Sequence, residues 1–155
     1  MISELLNENT IKIYDSVKDW KEAGKIAGKL LVDTGKVKES FIDAMIKSVE
    51  EYGPYIVIAP GIALFHARPE DGVKSMCLSL VIVKNGVDFN SGDKDPVKLV
   101  FVLGAVDNES HLRLLSELVN LLQDKNLVKM IISAHTEKDV IQLIQKKQLE
   151  TVKEL

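Results

Sequence analysis

Two basic side-chain types are scarce in this chain, and their spacing is informative. There are three histidines, His66, His111 and His135, and only two arginines, Arg68 and Arg113. Each arginine stands two places after a histidine, in His66-Ala67-Arg68 and His111-Leu112-Arg113. A neutral imidazole nitrogen is a good nucleophile near neutral pH. A guanidinium holds the oxygens of an anion with a planar fork of donors. Side chains at i and i+2 share a face on an extended strand and diverge on a helix. The first pair is therefore the stronger candidate, an imidazole with a cation beside it, suited to carrying an anion. His111 follows Asp107-Asn108-Glu109-Ser110, a run of helix-capping residues. It is expected to open a helix, where unpaired amides and the helix dipole attract anions. His135 reads as a surface or capping residue. A metal or hydrolytic site built from His66, His111 and Glu70 or Asp71 is the rival chemistry, but no dense ligand spacing supports it.

The elements that position His66 lie in the stretch from Tyr55 to Val73. An apolar run reaches Ala59, breaks at Pro60-Gly61, resumes at Ile62 and delivers His66 and Arg68 before the polar turn Pro69-Glu70-Asp71-Gly72. This pattern predicts two buried strands joined by a tight turn, with the imidazole at the rim of a sheet. The ring nitrogen not used for chemistry would need a fixed partner, expected to be a backbone carbonyl at that rim.

Upstream, residues 11–14 suggest an edge strand. Ser16-Val17-Lys18-Asp19 has the form of a capping box with Ser16 as N-cap. Trp20, Ala23, Ala27, Leu30, Leu31 and Thr34 then share a helical face that stops at Gly35, and Gly24 and Gly28 allow close packing against a sheet. A second helix is expected over 39–52, with Phe41, Met45, Val49 and Tyr52 on one side, ended by Gly53-Pro54. Downstream, 77–83 reads as a strand, Asn85-Gly86 as a hairpin turn with a return strand over 87–89, and 97–105 as a buried strand. Leu112, Leu115, Val119 and Leu122 mark the apolar side of the helix after Asp107. A short helix over 127–132 follows, and Thr136-Glu137-Lys138-Asp139 caps a last helix with Val140, Ile141 and Ile144 inside. About five strands and five helices imply an α/β fold, a mixed, about five-stranded sheet flanked by helices, in one domain over 1–155.

Composition narrows the function classes. Apolar residues make up 46% and charged residues 28%, as in ordinary globular domains. A net charge of −3 offers no basic footprint for nucleic acid. The longest apolar run, 56–65, is too short to span a bilayer and is broken by Pro60-Gly61. The amino terminus does not read as a signal peptide, and a lone cysteine, Cys77, suits a reducing cytoplasm and a buried apolar role.

The segment Gly53-Pro-Tyr-Ile-Val-Ile-Ala-Pro-Gly-Ile-Ala-Leu-Phe-His66-Ala-Arg-Pro-Glu-Asp-Gly-Val73 resembles the active-site segment of a known family. It is similar to the mannitol/fructose-type enzyme IIA proteins of the bacterial phosphoenolpyruvate-dependent sugar phosphotransferase system, and most like the branch serving ascorbate. The resemblance implies that His66 accepts a phosphoryl group. It also implies that His111, within Asp107-x-x-x-His111-Leu-x-x-Leu, contacts the phosphoryl oxygens without carrying the group. The donor would be the histidine-containing phosphocarrier protein and the acceptor a cysteine of enzyme IIB, with the membrane enzyme IIC acting downstream. No metal or organic cofactor is implied, and a homodimer is left open. The alternative is a regulatory domain whose phosphorylation controls binding to a target protein. Two departures stand out. The family usually has proline where this chain has Phe65, which is expected to add an apolar ring beside the site while freeing the backbone torsion. Other branches place an arginine before the active strand, where this chain has Lys47-Ser48-Val49-Glu50, so Arg68 is the candidate substitute for its charge.

Overall fold

The computed structural model describes residues 1–153. Five strands form one mixed sheet: β1 (Ile11–Tyr14), β2 (Val57–Ala59), β3 (Ile62–His66), β4 (Cys77–Val87) and β5 (Val97–Gly104). Their order is β1-β4-β5-β3-β2, so the expected strand over 11–14 is at one edge and the short hairpin strand β2 is at the other. β1 runs parallel to β4 and β3 parallel to β5, while β4–β5 and β2–β3 are antiparallel. The helices are α1 (Ile2–Leu5), α2 (Trp20–Asp33), α3 (Glu39–Tyr52), α4 (Asn108–Leu122), α5 (Lys125–Ser133) and α6 (Glu137–Lys153). The four-residue α1 is too short for periodicity to reveal.

Strand alternation splits the interior into two cores. On one face Leu64, Leu80, Ile82, Phe101 and Leu103 meet Leu114 and Leu118 of α4, Ile131 of α5 and Val140 of α6. On the other, Ala63, Phe65, Val81, Val100 and Val102 meet Ala23 and Ala27 of α2 and Phe41, Met45 and Val49 of α3. Both faces of the central strands are covered, which is why β4 and β5 read as nearly continuous apolar runs.

Five local expectations change. Asn85-Gly86 is not a hairpin: β4 runs through it, pairing Ile82 with Leu99 and Val87 with Val97. Between those pairs β4 has residues 83–86 and β5 has Lys98 alone, so the glycine, at φ 77°, serves a bulge. The chain reverses instead over 88–96, where Asp95 accepts from the Phe89 and Ser91 amides and the Ser91 hydroxyl. Asp19, not Ser16, caps α2 by accepting from the Glu22 amide, while the Ser16 hydroxyl accepts from the Asn85 amide group. On α4 the buried stripe is Leu114, Leu118 and Leu121, and Leu112 is 64% exposed. Tyr52 is exposed rather than packed with Phe41, Met45 and Val49. Gly24 does meet the sheet, where an added Cβ would stand 2.7 Å from Phe65 Cζ, but Gly28 faces Ile42 and Met45 of α3.

Candidate functional site

His66 is the last residue of β3, half-buried, in register with Leu103 of the neighbouring β5. It shares the parity of Ile62 and Leu64, whose side chains enter the core beneath α4. Its Nδ1 lies 3.2 Å from the Leu64 carbonyl. A carbonyl oxygen only accepts, so Nδ1 carries the proton and Nε2 presents a lone pair. The expected rim carbonyl is thus Leu64, itself fixed because its amide donates to Ile56 at 2.8 Å.

His111 sits on the first turn of α4. Asp107 caps that turn by accepting from the Ser110 amide at 2.7 Å, and the same contact holds its carboxyl below the usual carboxylate range. The two imidazole rings are 5.6 Å apart. Partial burial, and then the charge of His66, lower the pKa of His111 from its ordinary value. Desolvation penalises the imidazolium, so this ring favours its neutral form. A neutral ring this close to His66 can offer a hydrogen bond while leaving the Nε2 lone pair unprotonated.

Both histidines line a cleft of about 760 Å³, together with Arg68, Lys47, Ser48 and Tyr55. Arg68 is three-quarters exposed, and its Nε lies 3.6 Å from Glu70 and 3.5 Å from Asp71. The two carboxylates offset its charge, and the structure records no contact between Arg68 and His66. Lys47 forms no ion pair among the described residues. Asp71 also accepts from the Arg68 amide, so it is committed to the turn. No group of three or more His, Cys, Asp or Glu among the described residues is placed to hold a metal ion.

Phe65 is not beside the site. It is fully buried on the opposite face, 6.4 Å from the Trp20 ring and 5.9 Å from that of Phe89. Adjacent residues of a strand point to opposite faces, so the residue before His66 had to face α2. Cys77 is buried and its thiol is pushed up to about 12 by that burial, and His135 is exposed away from the cleft.

Sequence reasoning named 47–50 only as the segment where other branches carry an arginine, and it did not place Lys47, Ser48 or Tyr55 at the site. The signal for two of them existed: Ala44, Lys47, Ser48, Glu51 and Tyr52 form a second 3.6-period stripe on α3, and all of them line the cleft. The stripe that faces the core, Phe41, Met45 and Val49, lies on another side of that helix. Tyr55 opens the apolar run, and nothing in the sequence separates it from that run.

Residues 4–147 match the family described as phosphoenolpyruvate-dependent sugar phosphotransferase system, EIIA 2. The chain is 38% identical over 141 residues to the ascorbate-specific PTS system EIIA component of Escherichia coli K12, covering 90% of this chain and 92% of the relative. The solution structure of the mannitol-specific cryptic phosphotransferase enzyme IIA CmtB from Escherichia coli superposes with a TM-score of 0.85 at 34% identity, covering 94% of this chain and 98% of that one. The fold is shared as well with the mannitol enzyme IIA of Escherichia coli, solved in complex with phosphorylated enzyme IIB, at a TM-score of 0.80 and 23% identity over 91% of this chain and 97% of that one. No helix among the described residues is long and apolar enough to cross a membrane. The match over most of the chain and the shared sheet show descent: the chain belongs to the EIIA 2 family of the phosphoenolpyruvate-dependent sugar phosphotransferase system and is one of its phosphotransferase components.

Proposed function

We propose that the chain relays a phosphoryl group through His66 Nε2, from the histidine-containing phosphocarrier protein to a cysteine of enzyme IIB, in a cytoplasmic step of ascorbate uptake. The observation that carries the reading is the hydrogen bond from His66 Nδ1 to Leu64, which leaves Nε2 unprotonated on a ring 5.6 Å from that of His111. In the first step the Nε2 lone pair forms a bond to phosphorus as the phosphorus–nitrogen bond to the donor's imidazole breaks. The donor ring takes back its electron pair. His66 then bears a positive charge, shared with the Nδ1 proton and stabilised by the Leu64 carbonyl. In the second step a cysteine thiolate of enzyme IIB attacks phosphorus, and His66 leaves as a neutral imidazole with its Nδ1 proton in place.

Phosphoryl transfer has a loose transition state, so the protein acts mainly by positioning and by charge stabilisation. His111 and the first amides of α4 face the phosphoryl oxygens, and Lys47 and Arg68 supply positive potential. This relay uses no metal or organic cofactor. Ascorbate is assigned from the relative that shares 38% identity.

The test is incubation of the full chain with phosphoenolpyruvate, enzyme I and the phosphocarrier protein, followed by intact mass. One added phosphoryl group is expected, absent from His66→Ala and present but passed on more slowly in His111→Ala. Labelling that survives in His66→Ala overturns the assignment.

A further inference from the structure

An imidazole at a strand end has a soft last torsion, because rotation about a bond to a flat ring has broad, roughly two-fold minima. If His66 turned over, Nδ1 would leave Leu64 and the lone pair would no longer be directed by a fixed tautomer. Something must restrain the ring, and the Leu64 bond at 3.2 Å is on the long side for that task.

The second restraint comes from Tyr55. Its ring meets the His66 ring edge-on, with centroids 6.0 Å apart and planes at 87°. This geometry is favourable for aromatic pairs. Tyr55 is 48% exposed, so burial alone does not hold it in place. Its hydroxyl is instead tied at 2.7 Å to the Ser48 hydroxyl on α3, and its amide donates to Gly53. The next residue, Ile56, accepts the Leu64 amide. One short segment therefore braces both the ring of His66 and the residue, Leu64, whose carbonyl fixes its tautomer.

We propose that Tyr55, held by Ser48, is a positioning residue that keeps the His66 imidazole aligned for phosphoryl transfer. This rests on the relay reading above. Its chemistry is indirect: Tyr55 neither gains nor loses a proton, and it acts by removing rotational freedom from the nucleophile. The arrangement couples α3 to β3 across the cleft, and the hydroxyl pair is the tie.

The experiment uses the full chain with two readouts. The first is the ring-nitrogen NMR spectrum of His66 in the unphosphorylated protein, which reports the tautomer directly. The second is steady-state transfer from the phosphorylated phosphocarrier protein, separating kcat from KM. Tyr55→Leu is expected to lower kcat about tenfold with KM within about twofold, and to show both tautomers of His66. Tyr55→Phe keeps the ring and loses the tie, so a loss of about threefold is expected. Ser48→Ala should match it, and the double variant Ser48→Ala/Tyr55→Phe should lose no more than either alone. Should Tyr55→Leu fail to fold, Tyr55→Phe and Ser48→Ala carry the test. Wild-type kcat and an unchanged tautomer in these variants overturn the proposal. So does a loss confined to KM, which would make Tyr55 a docking residue. If the wild type takes up no phosphoryl group at all, the relay reading fails, and the tautomer spectra still decide the role of Tyr55.

Discussion

At the scale of single residues, the electrostatics of the cleft turn on His111 and on which cation is free. The pKa of His111 is lowered first by burial and then by the charge of His66. A folded-state value below the unfolded one means that the folded protein binds fewer protons in that window. The stability tied to neutral His111 is therefore present above the ordinary histidine range, about 6.5, and is lost as pH falls through the lowered folded value. Phosphorylation of His66 adds the negative charge of the phosphoryl group close to His111, so the His111 midpoint should rise. NMR titration of the His111 ring before and after phosphorylation checks this, and a midpoint that fell or stayed fixed would place the phosphoryl group away from His111. The cations differ in the same way. Arg68 is exposed and offset by Glu70 and Asp71, whereas Lys47 forms no ion pair among the described residues. Surface pairs of this kind contribute only about 0–1 kcal/mol. Arg68→Gln is expected to slow phosphorylation less than about threefold, and Lys47→Gln by about three- to tenfold. Equal losses in the two variants would show that Arg68 is not neutralised by its neighbours.

Elements decide what the residue before His66 does. β3 sends Phe65 into the core under α2 and presents His66 at the rim above it. A ring with no exposed surface, packed on Trp20 and Phe89 and within reach of Gly24, serves the joint between sheet and helix rather than a partner protein. β3 also lies inside the sheet between β5 and β2, where a proline would remove a donor from the ladder. The stiffer backbone that proline would bring is thus outweighed. Phe65→Pro is expected to cost about 3–5 kcal/mol, by analogy with other losses of a buried phenylalanine. In a thermal melt the midpoint should drop by about 10 °C. An unchanged midpoint with a raised KM for the phosphocarrier protein would contradict the buried role and favour docking.

For the molecule as a whole, the two cores share the strands β4, β5 and β3, so neither can be lost without exposing the back of the other. Unfolding should therefore be a single transition. Trp20 reports on the α2 face, while far-UV circular dichroism is dominated by helices on both faces. Urea curves from the two probes are expected to coincide, and separated midpoints would mean that one layer unfolds first. The ends of the sheet are also managed. Ile13 of the edge strand β1 donates to the Glu137 carboxylate, and the Val57 carbonyl of β2 accepts from Lys94. Charged side chains from α6 and the 88–96 segment that occupy backbone groups of the edge strands disfavour pairing with a second sheet.

Much of this was legible locally. The 3.6-residue period and Gly53 placed α3 at its observed bounds, an apolar run broken at Pro60-Gly61 gave the β2–β3 hairpin, and the strand end placed His66 at a rim with a backbone carbonyl for its second nitrogen. These features depend on residues close together in the chain. What required the tertiary structure was direction. On α4 the stripes Leu112-Leu115-Val119 and Leu114-Leu118-Leu121 are both helical, and only the position of the sheet selects the second. Asn85-Gly86 has the chemistry of a turn, but continued pairing of β4 with β5 outweighs a local preference worth at most about 1 kcal/mol. Lys47, Ser48 and Tyr55 share one cleft with His66 and His111 because α3, β3 and α4 converge at one end of the sheet, and periodicity within any one of them carries no record of where the others lie.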